Sequence, residues 1–240
     1  EIYMGDWSSD VCSSDLLRDE VKSSVRYVKE SRTTVGTFGQ MRRRRGAQDW
    51  LASLRSDDNE QFGRQTTGSL AWGYAWSPHW RLTLSGATGF KAPTFNELYF
   101  PDFGSPDLVP ETSVGIESSV RWSGNGARAA FTLYENRIDD LIGFDASFQP
   151  VNIDETRIRG LEAEIATRIL GFEFSASAEW LDPENRSAGA LRGNVLPRRS
   201  REVARLDVGR EFARIRLGAL VQVHGDRKST RLNSSHPYRS

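Results

Sequence analysis

From residue 48 onward, apolar and polar positions alternate with a period of two, the mark of strands that keep one face away from water. Leu70, Trp72, Tyr74 and Trp76 fall on one face, and Ser69, Ala71, Gly73 and Ala75 on the other. Trp80, Leu82 and Leu84 oppose Arg81, Thr83 and Ser85. Val114, Ile116, Val120 and Trp122 oppose Ser113, Glu117, Ser119 and Arg121. The pattern continues through Leu161, Ala163, Ile165 and Ile169, then Phe172, Phe174, Ala176, Ala178 and Trp180, and closes with Ile215, Leu217, Ala219, Val221 and Val223. It predicts eleven strands, at 21–31, 34–44, 48–57, 66–76, 80–90, 111–122, 127–144, 149–169, 172–182, 199–212 and 214–224, the first two being the most weakly patterned. Most reach the roughly 9 to 11 residues that cross a bilayer obliquely, beyond the roughly 5 to 6 of a soluble sheet.

The connections alternate in length. Short turns fall near Gly46, Pro78, Gly124, Gly171 and Ala213; longer segments occupy 58–65, 91–110, 145–148 and 183–198. Transmembrane β-barrels have this asymmetry, with short turns on one side and long loops on the other. Aromatic residues flank the short turns: Trp50, Trp76, Trp80, Trp122, Phe172 and Phe212. Amphipathic rings belong at the lipid headgroup level, so one edge of the sheet is expected to carry an aromatic girdle. The rival reading is a soluble β-sandwich or lipocalin-like barrel with buried Trp, an interaction module of a different class.

Charge narrows the function classes. The 240 residues carry 32 Lys+Arg and 32 Asp+Glu, so a platform that works by neutralising nucleic-acid phosphates is not expected. Mean hydropathy is -0.54, and no apolar run is long enough for a transmembrane helix.

The two ends are related to each other. Residues 6–16 (DWSSDVCSSDL) resemble a translated sequencing adapter, and residues 226–236 (DRKSTRLNSSH) resemble the same adapter read from the other strand. Coding Ser13, Ser14, Asp15 and Leu16 as TCT-TCC-GAT-CT gives a reverse complement that reads Asp226, Arg227 and Lys228 and opens Ser229. Residues 1–16 and 226–240 are therefore expected to be adapter sequence, leaving 17–225 as the partial barrel. Their removal takes four basic and five acidic residues from the 32 of each, leaving 28 and 27. It also removes Cys12, the one cysteine, and with it any thiolate chemistry.

Two neighbouring stretches, residues 90–99 (FKAPTFNELY) and 105–113 (SPDLVPETS), resemble a region of TonB-dependent outer-membrane receptors, particularly those for vitamin B12. Residues 136–142 (NRIDDLI) and 152–162 (NIDETRIRGLE) are similar to the strands flanking an outer hairpin of that family. Ser105 departs from the family's usual Asn. The resemblance implies an all-β fold: a partial transmembrane antiparallel β-barrel of about 11 of an expected 22 strands, in the outer membrane of a Gram-negative bacterium, with the plug domain absent from this sequence. It further implies active uptake of a scarce nutrient, cobalamin first and a ferric siderophore second, with TonB as the energising partner of the whole receptor and outer-membrane lipid around it.

Within 91–110, Pro93, Pro101, Pro106 and Pro110 keep the chain out of any ladder. Phe95, Asn96, Tyr99, Phe100 and Phe103 are the candidate ligand contacts, with simple packing of the aromatics over the barrel mouth as the competing role. Asp57, Asp58, Asn59 and Glu60 cluster oxygens, but without the spacing of a calcium loop. Glu162, Glu164, Glu179, Arg168, Arg205 and Arg216 are expected to line a wet lumen. His79 and His224 have no recognisable base or nucleophile beside them, and no phosphate loop or zinc motif occurs. No enzymatic reaction, cofactor or metal is expected.

Overall fold

Long alternating segments favour extended strands, whose backbone N–H and C=O groups need partners along the whole length and find them in neighbouring strands. A computed structural model describes residues 7–145, 147–189, 192–196, 200–212 and 215–225. Among them run eleven antiparallel strands: β1 (Trp7–Glu20), β2 (Ser31–Arg45), β3 (Gln48–Asn59), β4 (Gly63–Tyr74), β5 (Trp80–Lys91), β6 (Glu111–Gly124), β7 (Ala127–Phe144), β8 (Pro150–Ile169), β9 (Phe172–Asn185), β10 (Glu202–Phe212) and β11 (Ile215–His224), with one short helix, α1 (Phe95–Tyr99), between β5 and β6. Neighbours in sequence are neighbours in space throughout, and the sheet stays open between β1 and β11.

The strands from β2 onward match the sequence expectation closely. The first does not. Residues 21–30 form a connection, closed by Val21 N–H donating to the Glu30 carbonyl at 2.8 Å, and the strand paired with β2 is Trp7–Glu20. In that connection Tyr27 is buried at the loop end of the sheet, its hydroxyl donating to Asn96 Oδ1 at 2.6 Å, so the segment packs against the 91–110 loop instead of continuing the ladder. The segment 58–65 also differs: β3 and β4 extend until only Glu60, Gln61 and Phe62 connect them, because Asn59 Oδ1 accepts from the Gln61 and Phe62 amides and closes a tight turn. The predicted turn at Ala213, residues 1–6 of the first expected adapter segment, the whole of the second (226–240) and the Arg216 side chain lie outside the described residues.

Register assigns the faces. Leu84 pairs with Ser118, Ser118 with Leu133, Leu133 with Leu161, and Leu161 with Trp180, giving one row on one face. The neighbouring row, Ser85, Glu117, Tyr134 and Gly160, points the other way. Gly160 is required here: a Cβ would lie 2.1 Å from the Tyr134 ring, which crosses it so that the Tyr134 hydroxyl donates to Glu179 at 3.2 Å. Glu162 pairs with Glu179 on this polar face, Glu164 stands across from Ser177, and Ser177 from Arg205. Arg168 bonds Glu173, and Arg205 donates to Asp207 at 2.7 Å.

Aromatic rings collect at the short-turn end. Trp76 stacks on Trp80 at 5.8 Å, Trp80 meets Trp122 at 6.5 Å, and Trp50 meets Trp72 at 6.0 Å. All of the buried hydrophobic side chains among the described residues (Tyr27, Phe95, Leu98, Leu108, Ile158 and Leu196) sit at the opposite end, where the longer connections gather.

Candidate functional site

The loop end is organised around α1. Thr94 caps it: the Glu97 amide donates to Thr94 Oγ1 at 3.3 Å and the Thr94 amide donates to the Glu97 carboxylate at 2.7 Å, a reciprocal capping box. This Thr-x-x-Glu signature is legible in the sequence, so the one helix that the strand pattern omits had a local signal. The chain then folds back under the helix. Gly104 N–H donates to the Phe100 carbonyl and Ser105 N–H to the Glu97 carbonyl, each at 2.7 Å. Only glycine fits at 104, since a Cβ would lie 2.6 Å from the Tyr99 nitrogen.

Distant strands hold this folded loop in place. Arg32, at the start of β2 and buried, donates from Nη1 to the Pro93 carbonyl at 2.7 Å and from Nε to Asp19 at 3.0 Å. Its guanidinium lies 5.1 Å from the Phe95 ring centre and 5.9 Å from that of Phe62. On the other side, Asn152 Nδ2 donates to the Val109 and Asp140 carbonyls at 3.0 and 2.7 Å, while its Oδ1 accepts from the Val109 amide at 3.0 Å. Glu111 accepts from Lys91 Nζ at 2.8 Å and from the Ile142 amide at 3.0 Å. The stretches 90–99, 105–113, 136–142 and 152–162 thus form one structural unit: their polar residues tie the loop to the β7–β8 hairpin.

All five candidate contacts come together in this unit, in different states. Phe95 is buried beneath Arg32. Asn96 Oδ1 accepts from the Tyr27 hydroxyl at 2.6 Å, and the Tyr99 hydroxyl accepts from Gln61 Nε2 at 2.7 Å. Phe100 is 40% exposed and begins an aromatic ladder: Tyr27 to Phe100 at 6.2 Å, Phe100 to Phe103 at 6.3 Å, Phe103 to Phe144 at 5.9 Å. Tyr27, Arg32, Gln61 and Phe144 were not singled out in the sequence, because each joins the group only through contacts made across the sheet.

The acidic run at 57–60 is consumed locally. Asp57 bonds Arg55 at 2.6 Å, Asp58 faces Arg64 at 3.8 Å, and Glu60 accepts from the Thr33 amide at 2.9 Å and from Lys29 at 3.3 Å. The Thr33 amide, with Lys29 adding to it, holds the Glu60 carboxyl below its ordinary value. Asp57 and Asp58 point to opposite faces of β3, and Glu60 lies in the connection beyond it.

An open antiparallel sheet of long strands, apolar on one face and polar on the other, with an aromatic girdle at the turn end and a packed cap at the loop end, defines part of a transmembrane β-barrel. The comparisons carry this further. The family model "TonB dependent receptor-like, beta-barrel" matches residues 3–237, and the chain belongs to that family, one of receptors and transporters rather than enzymes. A vitamin B12 transporter, BtuB, of Vibrio vulnificus is 37% identical over 184 residues, covering 75% of this chain and 29% of the relative; the BtuB of Photobacterium profundum is 33% identical over 202 residues, covering 80% and 32%. The chain therefore spans about a third of the length of these relatives. In fold it is similar to the ferric enterobactin receptor PfeA of Pseudomonas aeruginosa (TM-score 0.75, 17% identity, 95% of this chain and 40% of that one) and to the copper transporter OprC (TM-score 0.73, 17% identity, 90% and 40%).

Proposed function

We propose that this chain is part of the barrel wall of an outer-membrane receptor that takes up cobalamin, its apolar face in contact with lipid and its polar face toward the lumen. The observation that carries the substrate is the joint presence of the aromatic ladder at the loop end and of BtuB relatives at 33 to 37% identity spanning the same segments. Phe100 and Phe103 offer flat apolar area to a ligand descending on the loops, while Phe95, Asn96 and Tyr99 hold the helix that presents them. A ferric siderophore is the second substrate reading; it draws on neighbours whose identity to this chain is low enough to speak for fold alone. TonB would energise the whole receptor, and residues 1–16 and 226–240 are adapter sequence in this reading, on the strength of their mirrored codons.

The test is equilibrium binding of cyanocobalamin and of a ferric catecholate to the full-length receptor in detergent. Cobalamin is expected to bind and the catecholate not to. Phe100→Ala is expected to weaken cobalamin binding by roughly fivefold, the scale of one lost aromatic contact of about 1 kcal/mol. Preference for the catecholate, or no loss in Phe100→Ala, would overturn the substrate or the ladder respectively.

A further inference from the structure

The apolar face does not stay apolar to the loop end. One register step beyond the row Leu133, Leu161 and Trp180 come Glu135, Arg159 and Asp182, and one step further Arg137, Arg157 and Glu184, all on the same face. Glu135 accepts from two arginines at once, Arg137 Nε at 2.9 Å and Arg159 Nε at 2.6 Å. Glu184 likewise bonds Arg157, and Arg186 at 3.2 Å. Arg201 stands 3.8 Å from Asp182. Each shared carboxylate leaves its triad with one surplus positive charge. Arg137 and Arg159 keep 67% and 47% of their side-chain surface open, so their guanidinium faces are available.

The height of this belt matters. Ten residues of β8 separate Ile169, at the turn end, from Arg159. At about 3.3 Å per residue and the usual tilt of a barrel strand, that is about 25 Å along the barrel axis, the height of the apolar band of such barrels. The arginines therefore start where hydrocarbon gives way to headgroups. A cation facing hydrocarbon would be costly, and a cation at the headgroup level is not. One row further out Asp139 and Glu155 stand opposite each other, and their carboxylates repel an anion from that level.

We propose that the open arginine triad Arg137–Glu135–Arg159, backed by the more buried triad Arg157–Glu184–Arg186, forms a docking belt for the anionic phosphate headgroups of the lipid leaflet at the loop end. Guanidinium pairs a phosphate through two parallel N–H donors and is more weakly hydrated than an ammonium, so it suits this level of the membrane. Glu135 and Glu184 hold the arginines flat against the wall, pre-oriented, while leaving each triad cationic. This goes beyond substrate uptake, and it rests on the reading that the apolar face meets lipid.

The experiment uses the full-length receptor folded into vesicles of phosphatidylcholine with or without bisphosphorylated lipid A, extracted in mild detergent, with retained lipid A counted by mass spectrometry. The double variant R137Q/R159Q is expected to retain roughly thirtyfold less, the scale of two lost arginine contacts at a charged lipid surface. Glu135→Gln adds one net positive charge and is expected to retain as much as the parent or more. Retention that is unchanged in R137Q/R159Q, or that falls equally in Glu135→Gln, would overturn the belt. Insertion, followed by tryptophan fluorescence, is read separately: a parent receptor that does not enter either vesicle overturns the membrane reading itself, whereas insertion without differential retention overturns the belt alone.

Discussion

The loop-end cap and the spanning sheet are made from the same strands, yet they bury their apolar residues in opposite ways. In the cap, Leu98 is 1% exposed and Leu196 3%, packed by protein as in any soluble core. In the sheet, Leu84 is 42% exposed, Leu133 48%, Ile165 52% and Leu206 45%, in regular rows with nothing of this chain over them. The difference is one of solvent. On the proposed function the sheet face is completed by lipid, so alternation alone is enough to stabilise it. The cap stands in water and must close on itself, which requires specific long-range contacts. The cap is accordingly the region with the helix, the capping box and the backbone-directed side chains Arg32 and Asn152.

This contrast can be broken or sharpened in the full-length receptor folded in lipid vesicles, beginning with the largest effect. Leu98→Ala removes a fully enclosed side chain and is expected to cost about 3 to 5 kcal/mol of cap stability, read as accelerated proteolysis within 92–110 while the barrel stays folded. If the whole barrel unfolds with it, the cap and the sheet are not separable as described. Leu84→Arg is expected to cost about 2 to 4 kcal/mol in folding titrations, the penalty for a cation on the lipid face. Ser85→Arg, which points to the other side opposite Glu117, is expected to cost far less. Equal penalties at the two positions would reverse or abolish the assignment of faces.

Smaller effects address what ties the cap down. Asn152→Ala strips the Val109 amide, the Val109 carbonyl and the Asp140 carbonyl of their side-chain partner and is expected to cost about 1 to 3 kcal/mol, seen as faster hydrogen exchange at Val109. No change there would mean that water replaces the side chain without loss. The smallest effect is acidic. Because the folded Glu60 carboxyl sits below its ordinary value of 4.5, its bond to Thr33 contributes fully above that value and is lost as pH falls through the lower folded one. Exchange at the Thr33 amide should rise only in that acidic window, and the rise should vanish in Glu60→Gln.

What the sequence determined by itself is the sheet. Period-two alternation is a local property: each residue's face follows from its neighbour's, so Leu161, Ala163 and Ile165 could be placed against Glu162 and Glu164 without knowing which strand lay beside them. The nine strands from β3 to β11 were legible for that reason and β2 only weakly, as was the girdle of Trp76, Trp80 and Trp122 beside a short turn. The tertiary structure alone decided the cap. Arg32 and Pro93 are 61 residues apart, Tyr27 and Asn96 are 69 apart, and no periodicity relates them. A buried Tyr27 took residues 21–30 out of the ladder that local reasoning assigned them, and Phe95 turned inward under Arg32 while Phe100 stayed out. The ionic belt belongs to the same class: Glu135, Arg137 and Arg159 visibly interrupt the apolar face in the sequence, but only the register of β7 against β8 shows that two arginines share one carboxylate at the level where the apolar rows stop.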